Sequence, residues 1–140
     1  MQASAAKILN GHLWAAVRAL ELPPDDYAVF GSAPMLAWGL VAEVGDIDLV
    51  ATRSAWQRAC RIETPETAPG GDQVVHVGSG IDIFNGWLSL DIDAVIRRAE
   101  MIDGLPVARL SDVAAYKRLL DRPKDRIHLE LLEAFAKTDR

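Results

Sequence analysis

The sequence predicts an α/β fold in which a small mixed β-sheet is flanked by helices. Short apolar runs of strand length, longer segments with apolar residues at helical spacing, and glycine- or proline-rich breaks between them indicate this class. The chain has 140 residues, and 50% of them are hydrophobic, so it is long enough to bury a core. We therefore expect residues 1–140 to form one domain.

The first part of the chain is predicted to be a helix followed by a strand. Apolar residues recur at helical spacing over residues 4–20, which is typical of an amphipathic helix. Pro23 and Pro24 interrupt this pattern. The apolar run Tyr27–Phe30 then has the length and composition of a buried strand.

A short helix and a second strand are expected next. Pro34 suits the first turn of a helix, because its missing N–H costs nothing there, and this helix is expected to reach about Val41. A strand is predicted over residues 46–51. Thr52 or Ser54 would then cap a further helix.

The second half is predicted to contain a β-hairpin and three helices. The expected elements are a loop over residues 63–72, strands over Gln73–Val77 and residues 81–85 joined by a turn at residues 78–80, a helix over residues 90–100, a turn and an extended piece over residues 104–109, a helix capped by Ser111 and ending near Asp121, and a last helix over residues 123–137.

The most informative motif is Gly31-Ser32 followed, after residues 33–45, by Asp46-Ile47-Asp48. Residues two apart on a strand point to the same face, so Asp46 and Asp48 are expected to lie side by side. Neighbouring carboxylates repel each other unless a cation lies between them, and Mg²⁺ prefers oxygen ligands. Gly31 lets the backbone approach a ligand closely, and Ser32 opens a helix whose free N–H groups can hold a phosphate.

This motif resembles that of the DNA polymerase β-like nucleotidyltransferase superfamily, and in particular its small stand-alone members, including those of toxin–antitoxin and AbiEii-like systems. Asp82, on a later predicted strand, matches the third carboxylate of that family. The segment around Lys117 and the run Arg122-Pro123-Lys124-Asp125 resemble its C-terminal helical segment. The resemblance covers about residues 27–132 and implies the minimal nucleotidyltransferase fold, with C-terminal helices beside the active cleft.

The resemblance also implies a nucleotide site with two metal ions, Mg²⁺ being expected and Mn²⁺ an alternative. Two groups of residues would build it. The catalytic and metal-binding carboxylates would be Asp46, Asp48 and Asp82, and the nucleotide-binding residues would be Gly31, Ser32 and Lys117. The implied reaction moves a nucleoside monophosphate from a nucleoside triphosphate to a hydroxyl and releases pyrophosphate.

Two positions depart from the family pattern. His128 stands where an acid is expected three residues beyond Asp125, and Glu43 and Val44 stand where an arginine is often found before the first carboxylate. These departures concern the choice of nucleotide and acceptor rather than the metal chemistry.

Each candidate residue also has a purely structural interpretation. The alternatives are that Asp46 and Asp48 are solvated acids at a strand start, that Asp82 is an exposed hairpin acid, that Lys117 turns outward into solvent, and that Arg122 and Lys124 pair with the neighbouring Asp121 and Asp125.

Composition bears on partners and location. The net charge of −5 disfavours general DNA binding. Residues 109–126 carry six basic and three acidic side chains, and such a local basic patch suits a metal–nucleotide complex better than a polynucleotide. The sequence shows no apolar run of membrane-spanning length and no signal-peptide pattern, and its single cysteine, Cys60, cannot form an internal disulfide. We therefore expect no membrane association and a cytoplasmic location.

The expected function is that of an Mg²⁺-dependent nucleotidyltransferase whose acceptor is a small molecule, a partner protein or a tRNA. The alternative is a non-catalytic, antitoxin-like or regulatory domain that keeps the fold and binds a partner protein. Saturable nucleotide binding in the presence of Mg²⁺ distinguishes the two.

Overall fold

The computed structural model describes residues 11–138 and has the mixed α/β fold that the sequence predicts. One open sheet contains seven strands: β1 (Tyr27–Phe30), β2 (Ile47–Ala51), β3 (Glu66–Thr67), β4 (Gln73–Val77), β5 (Ile81–Phe84), β6 (Glu100–Ile102) and β7 (Leu105–Val107). Their spatial order is β3-β4-β5-β2-β1-β7-β6. The central pair β2–β5 and the pair β1–β7 are parallel, and the other neighbours are antiparallel.

Six helices accompany the sheet in this part of the chain. They are α1 (Gly11–Ala19), α2 (Ala33–Ala37), α3 (Arg53–Ile62), α4 (Ile92–Arg98), α5 (Leu110–Leu120) and α6 (Pro123–Thr138), and a short 3₁₀ turn covers Pro24–Asp26. Residues 4–10 of the predicted first helix lie outside the described residues. Of the described helices, none has the length and apolar character needed to cross a membrane.

The sheet has an apolar core on each face. Residues of α1 and α3, such as Trp14, Val17 and Ala55, pack against one face. Residues of α4, α5 and α6, such as Val95 and Tyr116, pack against the other. Successive side chains of the buried strands therefore enter different cores, as the two-residue period of a strand requires.

The predicted strands are largely confirmed, but the helix after Ser32 is shorter than expected. It ends at Ala37 rather than near Val41. Gly39 adopts φ +76°, and its N–H bonds the carbonyl of Leu36 at 3.0 Å. A glycine in the left-handed region is a common helix stop, so the chain turns here and reaches β2 through a loop.

Two edge strands were not predicted. β3 lies inside the predicted loop, where Glu66 and Thr67 pair with β4. β6 and β7 form a hairpin around Asp103 and Gly104, both with positive φ, where a helix end and an extended piece were expected. An Asp-Gly pair is a strong hairpin signal, so this hairpin was recognisable from the sequence.

Two helix caps also differ from expectation. Thr52 occupies the N-cap position of α3 as predicted, but it makes no side-chain cap bond. Instead, the carboxylate of Asp26, distant in sequence, accepts hydrogen bonds from the N–H and hydroxyl of Ser54. Ser111 lies inside α5, which begins at Leu110.

Candidate active site

A row of polar side chains crosses the centre of the sheet. Asp48 on β2 and Asp82 on β5 are register partners on parallel strands, and His76 on β4 is the partner of Asp82. Neighbouring strands lie ~4.8 Å apart, so the two carboxylates are adjacent on one face. On the opposite side of β2, the register partner of Asp48 is Phe30 on β1, which belongs to the core beneath α4–α6. The polar row therefore lies on the face of the sheet that these helices cover.

The turn after β1 passes directly over this row. Gly31 has φ +63°, and a Cβ atom at this position would lie 2.6 Å from Oδ2 of Asp48. Only glycine fits there, because any side chain would be strained and would collide with the carboxylate. The Gly-Ser turn and the first carboxylates, distant in sequence, are therefore in direct contact.

Within the row, Asp48 is the carboxyl group whose pKa is strongly raised. Burial, followed by the negative charges of Asp82 and Asp46, raises its pKa to about 7, while Lys124 and Lys117 act in the opposite direction. A carboxylate with this pKa is poised to ionise when a cation arrives. The Asp48–Asp82 pair thus has the donor chemistry and the charge imbalance that suit a divalent ion.

Asp46 lies at the edge of the site and is not part of the Asp48–Asp82 pair. It precedes β2 and is exposed, although its charge acts on both Asp48 and His76. Within residues 11–138, no three acidic, histidine or cysteine side chains are grouped closely enough to hold a metal by themselves. Mg²⁺ usually keeps several waters and is held by one or two carboxylates together with substrate phosphates. The carboxylates present fit an ion that binds with a phosphorylated substrate.

His76 is a member of the site that sequence reasoning did not find. Its Nδ1 donates to Oδ1 of Asp82 at 2.6 Å, and its Nε2 lies 3.0 Å from Oε2 of Glu66. The bond to Asp82 is the main cause of a raised His76 pKa. The predicted hairpin turn at residues 78–80 pairs Val77 with Ile81, so its register alone would have placed His76 opposite Asp82.

Lys117 turns inward, which excludes the alternative of a solvent-exposed lysine. Its side chain is 0% exposed, and Nζ donates to Oγ of Ser32 at 3.0 Å and lies 3.5 Å from Oδ1 of Asp125. Desolvation is the main cause of its lowered pKa. Lys117 therefore supports the Gly-Ser turn from inside the protein.

The two basic residues at the start of α6, Arg122 and Lys124, have different surroundings. Arg122 binds Asp125 through two side-chain hydrogen bonds, of 2.6 and 3.0 Å, so the local pairing alternative is correct for this residue. Lys124 is exposed, and no ion pair joins it to another described residue, yet its charge lowers the pKa of Asp48. Lys124 is thus a positive charge near Asp48 that no carboxylate of the described residues pairs with.

His128 lies deeper on α6, one turn beyond Lys124. Its pKa is lowered by burial and by the charge of Lys117, and no described group bonds its buried Nδ1. The acid expected at this position would have added a negative charge beside Lys117. The substitution leaves this side of the site more positive.

The predicted site residues converge at one end of the central strands. Asp48 contacts Gly31 and is the register partner of Asp82, Asp46 is at the rim, and Lys117 reaches Ser32 from beneath. No protein-family model matches this chain, and no curated protein sequence matches it significantly.

Proposed function

We propose that this protein is a metal-dependent nucleotidyltransferase of the DNA polymerase β-like type, acting in the cytoplasm. It would transfer a nucleoside monophosphate from a nucleoside triphosphate to a hydroxyl group and release pyrophosphate. The observation that carries this proposal is the contact of the Gly31 turn with Asp48, whose register partner is Asp82. A glycine turn that can approach a phosphate, placed beside paired carboxylates, is suited to a metal–triphosphate complex.

The described residues suggest a division of labour. Asp46 and Asp48 would hold the Mg²⁺ or Mn²⁺ ion that binds with the triphosphate, and Asp48 and Asp82 would hold a second ion at the acceptor hydroxyl. The backbone at Gly31 and the hydroxyl of Ser32 would contact the phosphates, and the exposed ammonium of Lys124 would attract them. Lys117 would act through Ser32, because its own ammonium is buried. When bound, the metal would neutralise phosphate charge and lower the pKa of the attacking hydroxyl.

The chemical step would be an in-line displacement at the α-phosphorus. The acceptor oxygen forms the new P–O bond, the bond to the pyrophosphate oxygen breaks, and pyrophosphate leaves with the electron pair. The hydroxyl proton passes to Asp82, whose carboxylate His76 orients at 2.6 Å. The acceptor would be a small molecule, a partner protein or a tRNA.

A labelling experiment tests the reaction class. Purified protein, Mg²⁺ and a lysate are incubated in parallel with nucleoside triphosphates labelled at the α- or at the γ-phosphate. Nucleotidyl transfer deposits only the α label on an acceptor, whereas a kinase deposits only the γ label. Asp82→Ala should lose the α labelling while keeping nucleotide affinity within a few-fold, because a catalytic base is typically worth ~10²–10⁴ in rate. Gamma labelling, or full activity of Asp82→Ala, would contradict the proposal.

A specific surface feature favours a second candidate function, that of an antitoxin-like or regulatory protein-interaction domain. Leu119 and Ile127 are both 61% exposed, and Leu131 is 39% exposed, one turn beyond Ile127 on α6. Exposed apolar side chains at helical spacing are suited to a protein partner. Failure of every nucleotide to bind in the presence of Mg²⁺, together with capture of a specific protein that Ile127→Lys abolishes, would favour this candidate.

A further inference from the structure

A mainly apolar cavity of about 180 Å³ lies next to the carboxylate row, and the chemistry proposed above does not use it. Three parts of the chain form its walls: the loop between β3 and β4, the end of β5 with the residues that follow it, and the end of α5. Its lining includes Pro69, Asp72, Phe84, Trp87, Leu88 and Leu120.

The cavity lies close to the candidate active site along β5. Phe84 follows Asp82 by two residues on β5, so both side chains are on the same face and ~7 Å apart along the strand. The ring of Trp87 packs against Phe84 with centroids 5.2 Å apart and against Phe30 at 5.0 Å. Phe30 immediately precedes Gly31. A chain of packed aromatic rings therefore joins the cavity to the strand end that carries the glycine turn.

Asp72 is the one charged residue among the described residues that line the cavity. A Cβ atom on Gly86 would collide with Oδ1 of Asp72, so the carboxylate packs directly against a backbone that only glycine allows. Within residues 11–138, no side chain is hydrogen-bonded to this carboxylate or forms an ion pair with it. It is a hydrogen-bond acceptor left available beside aromatic walls.

These features define the chemistry of a ligand. Pockets for drug-sized molecules measure ~300–1,000 Å³, so this smaller cavity suits one ring system rather than a whole nucleotide. Aromatic walls stack on the face of any planar base, and a carboxylate accepts from the N–H groups on its edge. Guanine offers two adjacent N–H donors and matches both oxygens of one carboxylate.

We propose that the cavity at Phe84 and Trp87 binds a nucleobase and that Asp72 accepts hydrogen bonds from its N–H edge. The placement of the base relative to the phosphates rests on the proposed nucleotidyltransferase function. The base belongs either to the donor triphosphate or to a nucleotide acceptor, since both share this chemistry.

Calorimetry with two partial ligands tests the proposal. Guanosine carries a base without phosphates, and tripolyphosphate with Mg²⁺ carries phosphates without a base. The variants are Asp72→Asn, which removes the charge, and Leu120→Trp, which fills the cavity. Asp25→Asn, an exposed acid outside the lining, is the matched control. We expect both cavity variants to bind guanosine at least tenfold more weakly than the wild type does. Their affinity for tripolyphosphate should stay within twofold of the wild-type value. The control variant should bind both ligands as the wild type does.

The two ligands separate the possible failures. Absence of guanosine binding, or equal binding by wild type and both cavity variants, overturns the cavity proposal even if tripolyphosphate binds. Guanosine binding without tripolyphosphate binding overturns the phosphate site while the cavity proposal stands. Competition between guanosine and Mg²⁺–GTP assigns the cavity to the donor, and simultaneous binding assigns it to the acceptor.

Discussion

At the scale of single residues, Asp48 shows how burial creates a demand for a cation. Its pKa of about 7 lies above the ~3.9 of an aspartate in an unfolded chain. The folded protein therefore holds more protons between pH 4 and pH 7, and its stability falls as the pH rises through that range. The carboxylate of Asp48 thus lowers the stability of the protein at neutral pH when no cation is bound.

Asp48→Asn should accordingly be more stable than the wild type at pH 8 in the absence of divalent ions, by about 1–4 kcal/mol, and the difference should shrink at pH 4–5. Urea unfolding at both pH values measures it. The same variant should lose the rise in melting temperature that Mg²⁺ and nucleotide give the wild type. An unchanged rise would contradict the assignment of Asp48 as a metal ligand.

Gly31 permits a second residue-scale prediction. A methyl group there would meet Asp48 at 2.6 Å on a backbone with φ +63°. Gly31→Ala should cost roughly 1–3 kcal/mol of stability because of backbone strain, and Gly31→Val should also weaken nucleotide binding by at least ~1–2 kcal/mol. The control is Gly45→Ala, where a Cβ atom meets nothing within 4 Å. Normal nucleotide binding by a folded Gly31→Val protein would exclude the phosphate-loop role.

At the scale of elements, α5 and α6 are joined by a buried charge cluster. Burial alone would raise the pKa of Asp125, but hydrogen bonds from Arg122 and the charges of Arg122 and Lys117 lower it to about 2. This folded-state pKa is below the ~3.9 of the unfolded chain, so the cluster stabilises the protein above pH 4. That contribution is lost as the pH falls from about 4 to about 2.

Asp125→Asn should destabilise the protein at pH 7 by ~3–5 kcal/mol, because it leaves the buried ammonium of Lys117 without a counter-charge. It should also reduce the loss of stability between pH 4 and pH 2, to which Asp26 and Asp121, whose pKa values are lowered as well, still contribute. Urea unfolding across this range provides the measurement. Asp121→Asn is the matched control: its partner Arg126 is exposed, and asparagine tolerates the left-handed backbone at this position, so a change within ±0.5 kcal/mol is expected. Equal effects of the two variants would contradict the cluster's role.

At the scale of the whole molecule, charge is distributed unevenly around a net −5. Residues 109–126 carry +3, which leaves −8 for the rest of the chain. Much of the positive charge of this segment is internally paired, as in the Arg122–Asp125 contact of 2.6 Å and the Arg126–Asp121 contact of 2.9 Å. A small free positive region beside carboxylates can hold a nucleotide but cannot follow a polyanionic backbone.

The protein should therefore not bind a 20-base-pair DNA duplex measurably at 150 mM salt. Fluorescence anisotropy with a labelled duplex checks this expectation, and repetition at 50 mM salt shows whether any weak binding depends on counterion release. Micromolar affinity at 150 mM, falling steeply with added salt, would show that polynucleotide binding must be included in the function.

Much of this architecture could be predicted from local patterns in the sequence. Tyr27–Phe30 and Gln73–Val77 are strands as expected, and the last helix begins at Pro123. Hydrophobic periodicity and proline positions act over a few neighbouring residues, so they are readable without a structure. Asp82 alternates with Ile81 and Ile83 along β5, so the two-residue period of a strand is enough to place it on the opposite face, and the burial of both isoleucines in one core agrees with this.

Only the tertiary structure decided which of these residues meet and which are buried. Nothing in the local pattern shows that Lys117 is fully enclosed between Ser32 and Asp125. Nor does it show that Asp26 caps the helix that contains Ser54, or that Glu66 is part of an edge strand. The physical reason is that burial and partner choice depend on how elements distant in sequence pack together. The sequence by itself determined most of the strands and helices and the acidic motif, whereas packing set the pKa of Asp48 and built the cavity near it.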